Sequence, residues 1–152
     1  TARFRQRLYR FDRPCAGIAL VSAMRIALIF ALTFAMSCKA DETARAYGAG
    51  GKTWTLTEID GQHFDAMATL SFPEADKIEG RGPCNGFSGT MSVPYPWFKT
   101  GPLRSTRRAC PALGDETRYF TALQDMTLIE VLGDVMILKN EKGREMMFRA
   151  AD

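Results

Sequence analysis

Short runs in which apolar and polar residues alternate occur from about residue 53 onward, a pattern typical of β-strands with one buried face. Trp54 and Leu56 fall on the same face of the first run, and Asp60-Gly61 marks a turn directly after it. The pattern predicts strands at residues 53–59, 68–72, 77–81, 87–93, 128–132, 135–139 and 144–149.

One stretch has the spacing of a helix instead. Asp115 can cap a helix N-terminus, and apolar residues follow at helical intervals as far as Met126, so we expect a helix that ends before Leu128. Residues 94–102 contain three prolines, which are excluded from central strands, and are predicted to form a loop. Short strands with frequent turns and a single helix indicate a mainly β fold, a small antiparallel β-barrel with one packed α-helix.

The N-terminal part of the chain has the features of an export signal. Met24 and Arg25 precede an uncharged, mostly apolar run at residues 26–37. Twelve helical residues span about 18 Å, well short of the roughly 30 Å hydrocarbon core of a bilayer, so this run is typical of a cleaved signal peptide. An uncleaved anchor over residues 16–38 is the less favoured alternative, because it would place Arg25 near the bilayer centre at a cost of about 3 kcal/mol.

The signal ends in Ala35-Met36-Ser37-Cys38, which resembles a bacterial lipobox, with alanine and serine at positions where leucine and a smaller residue are usual. This resemblance implies that Cys38 is the lipidated first residue of the mature protein. A plain secretory cut near Cys38 remains the alternative. The residue after Cys38 is Lys39 and not aspartate. In Gram-negative lipoproteins, the absence of aspartate at this position would favour the outer membrane.

The chain is therefore divided into four predicted parts. Residues 1–23 form an upstream extension to which no fold is assigned, and residues 24–38 form the signal peptide. Residues 39–51 are small, polar and glycine-rich, and are predicted to be a flexible tether. Residues 52–150 form the domain.

Charge is distributed unevenly between these parts. The chain has 20 basic and 17 acidic residues, a net charge of +3. Residues 1–38 hold six arginines and one aspartate, a net of +5, which leaves 14 basic and 16 acidic residues, a net of −2, from residue 39 onward. The predicted domain therefore has no electrostatic basis for binding nucleic acid.

Five features of the domain follow one another along the chain. They are Trp54-Thr55-Leu56 followed by Gly61, the turn GRGPCNGFSG at residues 80–89, Thr106 to Cys110 (T-x-x-A-C), Glu116 with Phe120 and Leu123, and Gly133-Asp134 with Leu138. In this order they resemble the META-domain family of HslJ-like bacterial proteins. The resemblance covers about residues 52–148, and residues 95–98 depart from it where a polar turn is usual. It implies a small antiparallel β-barrel with a packed helix, often displayed on bacterial lipoproteins. It implies no enzymatic activity, because none is established for the family as a whole.

Cys84 and Cys110 are the only thiols in the predicted domain. In an exported protein such a pair is interpreted as a disulfide, which would stabilise the fold by about 3–4 kcal/mol across a separation of 26 residues. The alternative is two reduced cysteines packed as small hydrophobic side chains. Asn85-Gly86, directly after Cys84, is predicted to form a turn that uses positive φ angles and side-chain hydrogen bonds to the backbone.

Catalytic and metal sites are not indicated. His63 is the only histidine in the chain, so a catalytic Cys–His pair would have to be built around it. A zinc site from His63, Cys84 and Cys110 would lack a fourth ligand and any closely spaced pair. We expect an exposed loop histidine, no metal and no cofactor.

Two sets of residues are candidates for binding. The first is a basic and aromatic surface that could contact anionic lipid headgroups or an acidic partner, or could be ordinary solvated charge: Tyr95, Trp97, Phe98, Lys99, Arg104, Arg107 and Arg108. The second is a methionine set that could line a cavity for an apolar ligand, or could simply fill a core: Met126, Met136, Met146 and Met147.

The sequence as a whole favours a non-catalytic, stress-related binding module on a bacterial envelope lipoprotein. We expect a periplasm-facing outer-membrane location, attachment to the membrane through an N-terminal lipid, a monomer, and no nucleic-acid partner. Its partner would be another envelope protein. The alternative function is a small barrel that carries an apolar ligand.

Overall fold

The structure is a computed structural model that describes residues 40–151. The signal peptide and Cys38 lie outside these residues. The elements are a short, irregular helical turn at Arg45–Ala49, β1 Thr53–Ile59, β2 Gln62–His63, β3 Thr69–Glu74, β4 Lys77–Arg81, β5 Gly86–Thr90, β6 Arg104–Ser105, α1 Leu113–Asp125, β7 Leu128–Leu132, β8 Val135–Lys139 and β9 Glu145–Ala150. The strands predicted at residues 53–59, 77–81, 128–132 and 135–139 have the observed bounds.

All strands belong to one antiparallel sheet, in the order β6-β5-β4-β3-β1-β9-β8-β7, with β2 paired to β1 as a hairpin. Within residues 40–151, no strand pairing joins β6 to β7, so the sheet is open and the expected closed barrel is not confirmed. The β7 end of the sheet is instead covered by the loop that was predicted at residues 94–102. Phe98 N donates to Thr127 O at 2.8 Å, and Ile129 N donates to Pro96 O at 2.9 Å.

The core lies on one face of this sheet, beneath α1. Trp54, Leu56 and Ile59 of β1 are all buried, although the spacing from Leu56 to Ile59 breaks strict alternation. A register shift between Leu56 and Glu58 explains this, because the extra residue returns the following side chain to the same face. From α1, Tyr119 packs on the ring of Phe87 with centroids 5.8 Å apart.

The helix begins earlier than its sequence pattern suggests. Leu113 is its first residue, and the preceding Ala112 makes no side-chain capping bond. Asp115 is therefore not the cap. It lies in the first turn, where a negative charge stabilises the helix dipole. Among the described residues, no helix has the length and apolar character needed to cross a membrane.

Some strand ends differ from the predicted ones, because the side-chain pattern alone does not determine where strand pairing stops. The fourth predicted strand ends at Thr90 instead of residue 93. β3 continues through Pro73 to Glu74, but its pairing to β1 stops at Ser71 and its pairing to β4 is irregular beyond that residue. The missing N–H of Pro73 therefore breaks no regular ladder.

The described part of the segment predicted as a tether packs against the domain. Ala44 and Ala49 are fully buried, and the indole Nε1 of Trp54 donates to Ala49 O at 2.9 Å. Tyr95 N also donates to Glu42 O at 2.7 Å. Residues 42–49 therefore contribute to the core instead of acting as a free spacer.

Candidate binding surfaces

The Cys-Asn turn between β4 and β5 is fastened to the helix by a disulfide. Cys84 lies in this turn and Cys110 lies just before α1, and the two are bonded with their Cα atoms 5.9 Å apart. The predicted pairing is confirmed. The bond fixes the β4–β5 hairpin to the segment that leads into the helix.

A buried carboxylate reinforces the same connection. Glu116, in the first turn of α1, is only 6% exposed. Its Oε2 accepts hydrogen bonds from Cys84 N at 2.9 Å and Asn85 N at 2.7 Å, and its Oε1 accepts one from Asn85 Nδ2 at 2.7 Å. Hydrogen bonds to an ionised acceptor are roughly twice as strong as neutral ones, which offsets the cost of burying the charge.

Asn85 extends this network to the loop after β6. Its Oδ1 accepts hydrogen bonds from Thr106 Oγ1 at 2.8 Å and from Arg108 N at 2.7 Å. The predicted side-chain bonding of Asn85 to the backbone is therefore confirmed. The positive φ angles predicted at Asn85 and Gly86 are not found.

The sequence analysis missed the role of Glu116, although a signal was present. Glu116, Tyr119 and Leu123 lie at helical spacing and are all buried, so an acid falls on the apolar face of α1. A charge at such a position needs hydrogen-bond donors, and the nearby turn supplies them.

The aromatic residues of the predicted surface divide between surface and core. Tyr95 is half-buried and stacks on Tyr47, with ring centroids 4.6 Å apart and planes 7° from parallel. Trp97 is 55% exposed and pairs with Leu128 at the end of the sheet. Phe98 is only 1% exposed and belongs to the core, so its assignment to the surface was wrong. Tyr47, Tyr95 and Trp97 are called the aromatic turn below.

The basic residues of the predicted surface are all exposed. Arg104 lies in β6, and Arg107 and Arg108 follow in the loop before α1. Arg104 and Arg108 line two cavities, and no residue of the aromatic turn lines either one. The single surface predicted from sequence therefore contains two separate features.

The larger cavity, about 620 Å³, lies across β1, β3, β4, β5 and β6 and includes Arg81 and Arg104. The smaller, about 410 Å³, lies beside the Cys-Asn turn and includes Arg81 and Arg108. The two share Arg81, Gly86 and Thr106, so they form one continuous depression. It is called the arginine groove below, and Arg81 is a member that the sequence analysis did not select.

The remaining candidates lie apart from these features. His63 is exposed in β2, with Nε2 3.6 Å from Asp65 Oδ1. Within the described part of the chain, no cluster of three or more histidine, cysteine or acidic side chains could hold a metal ion. Met126, Met136 and Met146 are buried in the core, and Met147 is partly buried.

The pKa values of Asp60 and Tyr119 are both shifted by their surroundings. Burial alone would raise the pKa of the Asp60 carboxyl, but the Glu145 N–H and the Arg144 guanidinium outweigh burial and lower that pKa. The same guanidinium donates to Asp125 Oδ2 at 2.7 Å, so it links two turns to the end of α1. Burial raises the pKa of the Tyr119 phenol, whose hydroxyl donates to Thr69 O at 3.1 Å.

These features define a small, disulfide-bridged antiparallel β-domain with one packed helix. The family model described as META domain matches residues 48–152, and the chain belongs to this family. The expected family resemblance is confirmed.

Solved structures agree with this fold. An NMR structure of a protein from Burkholderia xenovorans is 22% identical, with a TM-score of 0.56, and the match covers 71% of this chain and 87% of that one. A crystal structure of a DUF4847 family protein from Bacteroides vulgatus ATCC 8482 is 12% identical, with a TM-score of 0.58, covering 70% and 96%. At these identities the likeness concerns the fold. No curated protein matches the chain.

Proposed function

We propose that this protein is a non-catalytic binding module of the bacterial envelope, attached to the membrane through a lipid on Cys38, and that it contacts a protein partner through the aromatic turn. The export signal and the lipobox-like ending motivate the location. The disulfide supports it, since disulfides persist in oxidising compartments. The stress-related role follows from the resemblance to HslJ-like proteins.

The exposure of Trp97 is the observation that carries the proposal. A large indole that is 55% exposed is held on a folded turn, and Tyr95, two residues earlier in the same turn, stacks on Tyr47. Tryptophan and tyrosine dominate the energetics of protein interfaces because they bury large areas at low conformational cost. Two chain segments far apart in sequence meet here, which holds the rings in place before any partner arrives.

The alternative, a carrier of an apolar ligand, finds less support. Such a carrier would hold its ligand inside a closed barrel, and the strand pairing is open between β6 and β7. Met136 and Met146 are fully buried among the other core side chains. This placement favours a packed core over a ligand cavity lined by methionine.

Photo-crosslinking in the producing bacterium tests the proposal. A photoreactive amino acid is placed at Lys99, which is exposed two residues after Trp97, and a second strain carries it at Lys142 in the β8–β9 turn. We expect one discrete protein adduct from position 99 and none from position 142. Adding Trp97→Ala should abolish the adduct.

The matched control is Met67→Ala, which removes another exposed apolar side chain, one that lines the arginine groove. It should leave the adduct at position 99 unchanged. If Trp97→Ala left the adduct intact, contact through the aromatic turn would be refuted. Native mass spectrometry of the protein decides the alternative, because a carrier would show an extra mass that is lost on denaturation.

A further inference from the structure

We propose that the arginine groove is a binding site for a ligand that carries phosphate groups. The groove is separate from the aromatic turn and shares no residue with it. Each of its two parts, about 620 Å³ and about 410 Å³, has a volume in the range of sites for small organic ligands.

Three arginines from three different elements line the groove. Arg81 ends β4, Arg104 lies in β6, and Arg108 lies in the loop that the disulfide fixes to the Cys-Asn turn. Within residues 40–151, none of their guanidinium groups donates a hydrogen bond or forms an ion pair. A guanidinium presents several donors in a planar fork that matches phosphate oxygens, so these three side chains offer unused hydrogen-bond donors to an anionic ligand.

The arginines outnumber the acids among the residues that line the groove. Glu116 is turned inward and its oxygens are occupied by Cys84 and Asn85, so it does not face the groove. Glu79 is the one acid among the lining residues. Its strand neighbour Ser88 lies between it and Arg104 in the register, so the backbones of Glu79 and Arg104 are about two strand spacings, roughly 10 Å, apart. Arg81 is two residues further along β4 on the same face, so Glu79 balances part of its charge.

The floor of the groove favours a small polar ligand over nucleic acid. Thr53, Ser71 and Ser88 follow one another across neighbouring strands in the same cross-strand row, with Glu79 between the two serines. They supply hydroxyl groups along the groove. Phe87 is the only aromatic lining residue and is itself buried, so no exposed ring is available to stack on a base.

Gly86 joins the two halves of the groove. It is paired with Arg81 in the register, and a Cβ added there would meet only Gly80 O, at 3.8 Å. A larger side chain therefore fits the backbone but occupies the junction of the two cavities. Gly86→Val blocks the groove while leaving all three arginines in place.

Calorimetric titration of the full-length protein with inorganic pyrophosphate tests the site. We expect saturable binding that Arg81→Gln and Arg108→Gln each weaken about tenfold, as for the loss of one charge-assisted contact of about 1.4 kcal/mol. Gly86→Val should abolish binding. Arg107→Gln is the matched control, because Arg107 is exposed and adjacent to Arg108 but lines neither cavity, and it should change the affinity less than about twofold.

A second arm distinguishes a soluble phosphate ester from a lipid headgroup. Wild type and variants are compared on phosphatidic acid vesicles and on phosphatidylcholine vesicles, so that any contribution of the N-terminal segment is common to all. Loss of vesicle binding in the groove variants identifies a headgroup, and loss of pyrophosphate binding alone identifies a soluble ligand. Absence of saturable pyrophosphate binding, or an equal loss in Arg107→Gln, would overturn the proposal. The exposed arginine variants keep the test decisive even if Gly86→Val fails to fold.

Discussion

Replacing Glu116 by glutamine tests the buried network that fastens the Cys-Asn turn to α1. Glutamine has the same shape as glutamate but carries no charge and replaces one acceptor oxygen with an NH₂ donor. If the remaining oxygen stays on Cys84 N and Asn85 N, the new NH₂ group faces Asn85 Nδ2, and two donors oppose each other. If Asn85 turns its amide to compensate, it loses the bonds that its Oδ1 accepts from Thr106 and Arg108.

The first arrangement leaves a buried donor without an acceptor, and the second leaves the partly buried Arg108 N–H without one. An unsatisfied buried donor costs about 1–3 kcal/mol, and two remaining bonds lose the strength contributed by the charge, roughly 0.5–1 kcal/mol each. We therefore expect Glu116→Gln to lower the free energy of unfolding by about 2–5 kcal/mol. That is a large fraction of the roughly 5–15 kcal/mol that a domain of this size has.

Urea denaturation followed by tryptophan fluorescence measures this loss as a lower midpoint at an unchanged slope. Asp115→Asn is the matched control, because it removes a negative charge from an exposed residue in the same helical turn, which should cost no more than about 1 kcal/mol. A loss below about 1 kcal/mol for Glu116→Gln would show that the three hydrogen bonds do not hold the turn, and would refute this account of the network.

Three further predictions test other parts of the fold. Cys84→Ser and Cys110→Ser should each destabilise the protein by about 3–4 kcal/mol in thermal unfolding, and the double variant should be no worse; additive losses would contradict a shared bond. Because the folded-state pKa of Asp60 is lowered, its pairing with Arg144 stabilises the fold above the ordinary carboxyl pKa near 3.8 and is lost as pH falls through the folded value. Arg144→Ala should therefore cost about 0.5–1 kcal/mol at pH 7 and flatten the acid limb of the stability profile, and an unchanged acid limb would exclude this pair as its source. Phe98→Ala should cost about 3–5 kcal/mol in urea denaturation, and a near-neutral result would place that ring on the surface after all.

Local patterns were sufficient to predict the strands with one buried and one exposed face. Residues 53–59, 128–132 and 135–139 were predicted with their observed bounds, because alternation and turn residues coincide there. β2 and β6 have only two residues each and no alternation to detect, so they could not be predicted. The open sheet was missed because closure depends on which strands meet in space, and the order of strands in a sheet leaves little trace in any one of them.

The candidate sites were harder to predict from sequence than the strands, because they depend more on pairing between residues far apart in the chain. Phe98 was assigned to the surface with its neighbours, because composition alone does not show which side of a loop faces β7. Arg81 was missed for the opposite reason. It looks like an ordinary exposed strand residue, and only the register through Gly86 brings it to the same groove as Arg104 and Arg108.

The buried network and the groove are parts of one structural unit. The carboxylate of Glu116 fixes Asn85, and Asn85 in turn holds the backbone of Arg108 through the bond from Arg108 N. A well-packed apolar side chain at position 116 would avoid the cost of burying a charge, so stability alone does not favour the acid. What the acid supplies is a single geometry for a loop that carries two groove residues, Thr106 and Arg108. A site whose backbone is already fixed before a ligand arrives loses less conformational entropy when it binds, and this reasoning connects the buried charge of Glu116 to the exposed Arg108.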